Sequence, residues 1–296
     1  MKISAPLAAP VLYDESVIKK SKMHHCRNNP AREYRAIVSL SLPAIPQTDA
    51  LTNKAHVCDY WLRMSDRTVS IPQTPLVVGS VQSLDELACL QPTELHDLCD
   101  LLEVRLDGIS PGKEDALKVE LDRLGEFPLL FTARCASEGG LAELGDQQRA
   151  GLLLDMSDRA TWIDVELASY AEMTETIHQI RSRGVGLILS HHNFGMTPES
   201  AELQNLVELG KEADIVKLAF HHNHLSDLLR CVEILQNNDR PMSVMGMGKL
   251  APVSRLLYAQ HGSLLNYGYL GTSPTAPGQW PAKLLREAIS NLEQVN

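Results

Sequence analysis

The chain has 296 residues, 44% of them hydrophobic, enough apolar material for a sizeable core and against disorder across most of its length. A formal charge of −10 and a pI near 5.5 exclude a broad nucleic-acid-binding surface, while leaving room for a small arginine cluster that captures an anionic metabolite. Six cysteines, none in a Cys-x-x-Cys pair, read as reduced thiols rather than a disulfide framework.

Residues 1–70 carry no sustained hydrophobic periodicity, and Pro, Asn, His and Ser are scattered through them. A loosely ordered N-terminal extension is expected there, with a helical stretch around Asp59 to Met64. Pro6 and Pro10 interrupt the opening apolar residues and acidic residues soon follow, which makes a poor signal peptide. No apolar run approaches the roughly 20 residues that span a bilayer. A cytoplasmic protein without a membrane partner is the expectation.

From Pro75 the texture changes to short apolar segments alternating with longer amphipathic ones. The expected strands are Leu76–Val78, Leu101–Leu106, Leu129–Ala133, Trp162–Leu167, Gly186–Ser190, Asp214–Ala219, Met242–Met245 and Ser263–Tyr267. Helical patterns separate them at Ser83–Cys89, Glu114–Leu124, Gln147–Met156, Tyr170–Arg183, Pro198–Leu209, Leu225–Asn237 and Val253–Ala259, and Pro281–Leu292 follows the last strand. Eight such units in about 220 residues predict a (β/α)8 TIM barrel over residues 71–296. An open doubly wound sheet is the alternative, but no Gly-x-Gly-x-x-Gly turn follows the first strand, and Gly246 and Gly248 come too late.

A barrel gathers its reactive side chains at the carboxyl ends of its strands. Lys217 lies within the apolar run Asp214-Ile215-Val216-Lys217-Leu218-Ala219-Phe220, where an ammonium is costly to bury alone. A lysine there is expected to have a lowered pKa and a free amine able to attack a ketone and form a Schiff base. By itself the heptapeptide favours a lysine whose stem packs while its head reaches water. Its neighbours shift that balance. Glu103 and Arg105 share a face of the second strand, Thr132 and Arg134 end the third ahead of Glu138-Gly139-Gly140, and Asp164 and Glu166 share a face of the fourth. Ser190-His191-His192-Asn193 closes the fifth, and Met245 and Met247 close the seventh. Any one pair is an ordinary ion pair or solvated end; a succession of them terminating apolar runs points to one polar pocket.

In these residues the chain from about Pro75 onward resembles the type I 3-dehydroquinate dehydratases, the Schiff-base enzymes of the shikimate pathway. The resemblance rests on Leu102-Glu103-Val104-Arg105-Leu106-Asp107, Phe131-Thr132-Ala133-Arg134 with Glu138-Gly139-Gly140, and Ser190-His191-His192-Asn193-Phe194 followed by Thr197-Pro198. It continues through Asp214-Ile215-Val216-Lys217, Met245-Gly246-Met247-Gly248 with Ser254-Arg255, and Ala276-Pro277-Gly278-Gln279, in the family's order.

The resemblance implies that Lys217 forms an imine with the C3 ketone of 3-dehydroquinate and that His192 takes the C2 proton, then protonates the departing C1 hydroxyl. Asp164 or Glu166 is expected to orient that ring, with Glu103 and Asp164 favoured as its carboxylate neighbours. Arg255 is implied to hold the C1 carboxylate, and Glu103, Arg105, Arg134 and Gln279 the ring hydroxyls, with Met245 and Met247 packed on the ring. Glu138 joins Asp164 among the supporting groups, and Thr275 among the substrate contacts. The implied reaction needs no metal or organic cofactor, since the lysine is the electron sink; a homodimer is the family-level expectation. The chain departs from the commonest pattern at Asn193 (aspartate is usual), Tyr267 (phenylalanine is frequent) and Thr275 (often serine).

Other candidates carry less. Lys249, beside Gly248, reads as a solvated loop amine, and Cys135 as a packed, inert thiol. The run His221-His222-Asn223-His224 reads as a surface loop rather than a metal site, as does His24-His25-Cys26. Ser273–Trp280 reads as a mobile lid that excludes water. Two other functions compete: a class I aldolase-like barrel acting on another keto substrate, which the Arg134, Arg255 and Gln279 set disfavours, and a non-catalytic relative, which would lack Lys217 or His192.

Overall fold

The computed structural model describes residues 69–292. The expected extension and its helical stretch around Asp59 to Met64 lie outside them. Eight strands alternate with helices: β1 (Leu76–Val81), β2 (Leu101–Arg105), β3 (Leu129–Thr132), β4 (Trp162–Glu166), β5 (Gly186–Asn193), β6 (Ile215–His221), β7 (Met242–Met247) and β8 (Leu265–Tyr269). The helices are α1 (Leu84–Cys89), α2 (Leu95–Leu98), α3 (Glu114–Arg123), α4 (Asp146–Met156), α5 (Tyr170–Arg181), α6 (Ser200–Leu209), α7 (Leu225–Gln236), α8 (Ala251–Gln260) and α9 (Ala282–Ile289). Among the described residues no helix is long and apolar enough to cross a membrane.

The strands pair in parallel in the order β7-β6-β5-β4-β3-β2-β1-β8, as the right-handed β-α-β repeat requires. The β7–β8 seam is closed largely by side chains. Leu264 N–H donates to the Met242 carbonyl at 2.9 Å, Val244 N–H donates to Ser263 Oγ at 2.9 Å, and Ser243 Oγ donates to the Leu265 carbonyl. The sheet is therefore a closed barrel, as the eight repeats predict.

Period-2 alternation divides each strand between two environments. In β6, Val216, Leu218 and Phe220 point outward and pack with Leu228, Cys231 and Ile234 of α7. Ile215 and Ala219 point inward with Val78, Leu101, Trp162 and Leu265. The helices form because their apolar residues recur at helical spacing, as at Leu228, Cys231, Ile234 and Leu235 of α7. Asp227 completes the start of α7 by accepting from Asn223 N–H and His224 N–H at 2.8 and 2.9 Å.

Five strands run past their expected ends, β1 reaching Val81 and β8 Tyr269. β5 was expected to stop at Ser190, but it continues through His191, His192 and Asn193, which still find register partners in Leu218, Ala219 and Phe220. β6 and β7 likewise reach His221 and Met247. Backbone pairing extends the barrel wall where the side chains have turned polar, and His192 stands on that extension. The short α2 was not anticipated, being a single turn too brief to show periodicity.

The barrel floor depends on one close approach. Trp162 pairs in register with Gly186, and a Cβ at Gly186 would lie 2.3 Å from the indole. Gly186→Ala is expected to cost about 2 kcal/mol through overpacking, read as a lowered denaturant midpoint; an unchanged midpoint would contradict this packing.

Candidate active site

The inward face of β6 places Lys217 at the centre of the barrel, 3% exposed. It is not left alone in apolar surroundings, as the heptapeptide suggests. Its Nζ donates to Asp164 Oδ2 at 2.7 Å and lies 4.1 Å from the centroid of the Tyr267 ring. Asp164 is itself gripped from two more sides, by Arg134 Nη2 at 2.8 Å and by Ser190 Oγ, which donates to Oδ1 at 2.6 Å. Burial alone would raise the Asp164 carboxyl, but the charges of Arg134 and Lys217 outweigh it and hold the group well below the usual carboxylate range.

Arg134 extends this network. Its Nη1 donates to Ser190 Oγ at 2.6 Å and to Glu166 Oε1 at 3.0 Å. Glu166 also accepts from Arg149 Nη1, whose other terminal nitrogen donates to Ser169 Oγ at 2.6 Å. The chain of opposite charges therefore runs from Lys217 through Asp164, Arg134 and Glu166 to Arg149, every member fully or nearly buried.

His192 stands one inward position above Lys217 on the neighbouring strand, since Ser190 pairs with Lys217 and His192 with Ala219. Its Nδ1 lies 2.9 Å from Glu138 Oε2, and the same oxygen accepts from the His192 backbone N–H at 2.9 Å. This corrects the expectation that Asp164 or Glu166 orients the ring. Those carboxylates are occupied by Arg134, Lys217 and Arg149, so the helical turn after β3 supplies Glu138 instead. Burial, with the positive charges of Arg134 and Lys217, pulls His192 well below the ordinary histidine value. Burial also pushes Glu138 up to about 7, the charges of Glu166 and Asp164 adding to it against Arg134. The ring is thus neutral near pH 7, with Nε2 left as the nitrogen available to a ligand.

The remaining predicted residues converge on the same cavity, lined by Lys217, His192, Glu138, Glu103, Arg105, Arg134, Arg255, Met245, Met247, Thr275 and Gln279 together with Tyr267 and Phe194. Asp164 lies behind this lining. Glu103 accepts from Ser80 Oγ at 2.6 Å and Thr132 Oγ1 at 2.8 Å. Arg105 forks onto Asp107 at 2.9 and 2.7 Å. Thr275 donates its N–H and its hydroxyl to Gln279 Oε1, both at 2.7 Å, which fixes the Gln279 amide. Arg255 differs from every other buried cation in the cavity. Its Nη1 donates to the Tyr267 carbonyl at 2.7 Å, and among the described residues its Nε has no partner and no carboxylate pairs with it. Burial lowers it to about 10. A buried guanidinium without an acid awaits an anion.

Several contributors were not singled out from the sequence. Arg149 could have been found as an arginine on the apolar face of α4, in helical step with Leu153 and Met156. Asp107 and Ser190 stand inside the quoted motifs without an assigned role. Lys249 is exposed and outside the cavity. Burial raises the Cys135 thiol, which lies 3.3 Å from Ser137 Oγ. His222 is a second correction: it is 2% exposed, not part of a surface loop, with Nδ1 and Nε2 both engaged. The Tyr267 hydroxyl is buried without a partner, which costs about 1–3 kcal/mol. Tyr267→Phe is accordingly expected to raise the denaturation midpoint of the unliganded protein by about 1 kcal/mol; a lower midpoint would show that the hydroxyl is bonded in the empty site.

A parallel barrel with a buried lysine and a neutral imidazole lining one cavity carries the groups that imine chemistry uses. The profile of the family described as "Type I 3-dehydroquinase" matches residues 75–296. The 3-dehydroquinate dehydratase of Methanocella arvoryzae is 32% identical over 219 residues, covering 73% of this chain and 95% of that protein. That of Methanothermobacter thermautotrophicus is 31% identical over 194 residues, covering 65% and 85% respectively. The crystal structure of 3-dehydroquinate dehydratase from Geobacillus kaustophilus superposes with a TM-score of 0.66 at 24% identity, over 74% of this chain and 91% of that one, a likeness of fold. The chain belongs to the type I 3-dehydroquinase family.

Proposed function

We propose that Lys217 and His192 carry out the dehydration for which the family is named, with 3-dehydroquinate held at its carboxylate by Arg255. The observation that supports this most is the stacking of the two groups at successive inward levels of β6 and β5, in the same cavity as Arg255, which pairs with no acid among the described residues. Lys217 Nζ, once its extra proton has passed on, adds to the C3 ketone, and loss of one water gives the iminium. His192 Nε2 then removes the C2 proton, and the electron pair moves into the C2–C3 bond and on to nitrogen. As the enamine re-forms the iminium, the C1–O bond breaks and the imidazolium returns its proton to the leaving hydroxyl, releasing water. A second water hydrolyses the imine and restores the amine. The net change is 3-dehydroquinate to 3-dehydroshikimate plus one water.

The cavity holds about 50 Å³, well under the roughly 300 Å³ or more of a small-molecule site, so its lining is expected to move outward when substrate enters, the segment carrying Thr275 and Gln279 first. A keto acid with a carboxylate and ring hydroxyls suits this lining better than a sugar phosphate does. Replacing Arg255 by Ala is expected to raise KM by roughly 30- to 150-fold, the equivalent of about 2–3 kcal/mol, in an absorbance assay for 3-dehydroshikimate. Wild-type protein that forms no 3-dehydroshikimate would end this reading.

The Glu138–His192 pair sets the acid limb of the pH profile. Above about pH 7 Glu138 is ionised and accepts from Nδ1–H, leaving the lone pair on Nε2. Below that value the carboxyl acquires a proton and donates it toward Nδ1, which forces hydrogen onto Nε2 and removes the base. The value of kcat/KM is therefore expected to fall on the acid side of about pH 7. In Glu138→Gln, whose amide oxygen accepts without titrating, that limb should disappear; a limb unchanged in the variant would separate Glu138 from the proton chemistry.

A further inference from the structure

Behind the wall of the cavity lies a second buried imidazole that the proposed chemistry does not use. His222 follows β6, is 2% exposed, and bridges two segments that are distant in sequence. Its Nδ1 is 2.7 Å from Thr197 Oγ1, and its Nε2 is 2.8 Å from Tyr258 Oη. The direction of these bonds can be assigned. Thr197 gives its only hydroxyl hydrogen to the His221 carbonyl at 3.1 Å, so its oxygen accepts from Nδ1–H. The neutral ring then has its lone pair on Nε2, which accepts from the Tyr258 hydroxyl. Burial pushes His222 down to about 4, in keeping with a neutral ring that uses one donor and one acceptor.

The position of the ring matters because of what it touches. Gly246 stands between Met245 and Met247, which line the cavity, and a Cβ there would lie 2.3 Å from His222 Cδ2 and 2.3 Å from Ser254 Oγ. The imidazole therefore lies against the back of β7 at the point where α8 is seated on it. Arg255 is the next residue of α8 after Ser254, and Tyr258 follows Arg255 on the same face, one turn on. Among the described residues no side chain bonds the guanidinium itself, which holds the Tyr267 carbonyl. Its location is thus set by how α8 sits. At the other end of the bridge, Thr197 closes the segment that begins at Asn193 and carries Phe194 into the cavity wall.

We propose that His222 is a positioning residue for the carboxylate anchor: its imidazole clamps α8, through Tyr258, to the segment after β5, through Thr197, and so fixes where Arg255 presents its guanidinium. The clamp rests on the reading of Arg255 as the anion site. A residue that acts through Arg255 must lose its effect when Arg255 is absent, whereas a residue that merely fills the core does not.

The test is a double-mutant cycle on KM for 3-dehydroquinate. His222→Phe keeps a ring and removes both hydrogen bonds. It is expected to raise KM roughly tenfold in the wild-type background with kcat changed less than about threefold, and to add nothing to the KM of Arg255→Ala. His222→Gln, which supplies one donor and one acceptor, should recover most of the loss. Additive effects on KM, or a lowered melting temperature with KM unmoved, would overturn the clamp. If His222→Phe fails to fold, Tyr258→Phe runs the same cycle by removing only the hydroxyl on Nε2, with the same two outcomes. Failure of the underlying reading is visible separately, as an Arg255→Ala enzyme whose KM equals that of the wild type.

Discussion

The carboxylate of Asp164, sealed at the centre of the barrel between Arg134, Lys217 and Ser190, is the interaction on which the remainder of the site depends. Charges this deep are tolerable only in company, because each ion loses its water and must recover the loss from its neighbours. Removing Asp164 would strand two cations at once. The same demand propagates outward, since Arg134 needs Glu166 and Glu166 is shared with Arg149. One cation stands outside this accounting. Arg255 has no acid beside it among the described residues, and the proposed carboxylate site rests on that.

The two groups to which we assign proton transfer and covalent attack are kept apart by environment. Lys217 belongs to the ionic network reaching from β6 to β4 and β3, which fixes its nitrogen from below. His192 and Glu138 form a separate pair on the upper wall, where burial and the nearby cations keep the ring neutral and raise the carboxyl. Extension of β5 beyond its apolar run makes this separation geometrical. The inward alternation of adjacent strands puts the imidazole one level above the amine, so a ring seated on Lys217 meets Nε2 from above. The fold therefore sets the placement of the two groups through strand register and the neutrality of the ring through burial, two consequences of the same sheet.

Much of this was legible in the sequence, because the signals are local. Apolar runs separated by amphipathic segments marked all eight strands, and residues two apart, such as Glu103 with Arg105 and Asp164 with Glu166, announced their common face. Lys217 was conspicuous as a charge inside a strand. The partner of His192 was not legible, because Glu138 lies 54 residues away and reaches the ring only through a turn after β3. Arg149 and Tyr258 were hidden for a similar reason: their partners lie on other elements of the chain. His222 looked like one of several loop histidines, and only the missing Cβ at Gly246 makes room for it in the core. Pairings between distant elements depend on how helices seat on the sheet, which no local pattern encodes.

The central claim is that the enclosed nitrogen on β6, beside Asp164, becomes covalently joined to the ketone. Borohydride added during turnover of 3-dehydroquinate should reduce the imine and leave a stable mass gain of one ligand per chain, which peptide mass spectrometry places on Lys217. A mass gain on the exposed Lys249, or none while turnover continues, would contradict the account.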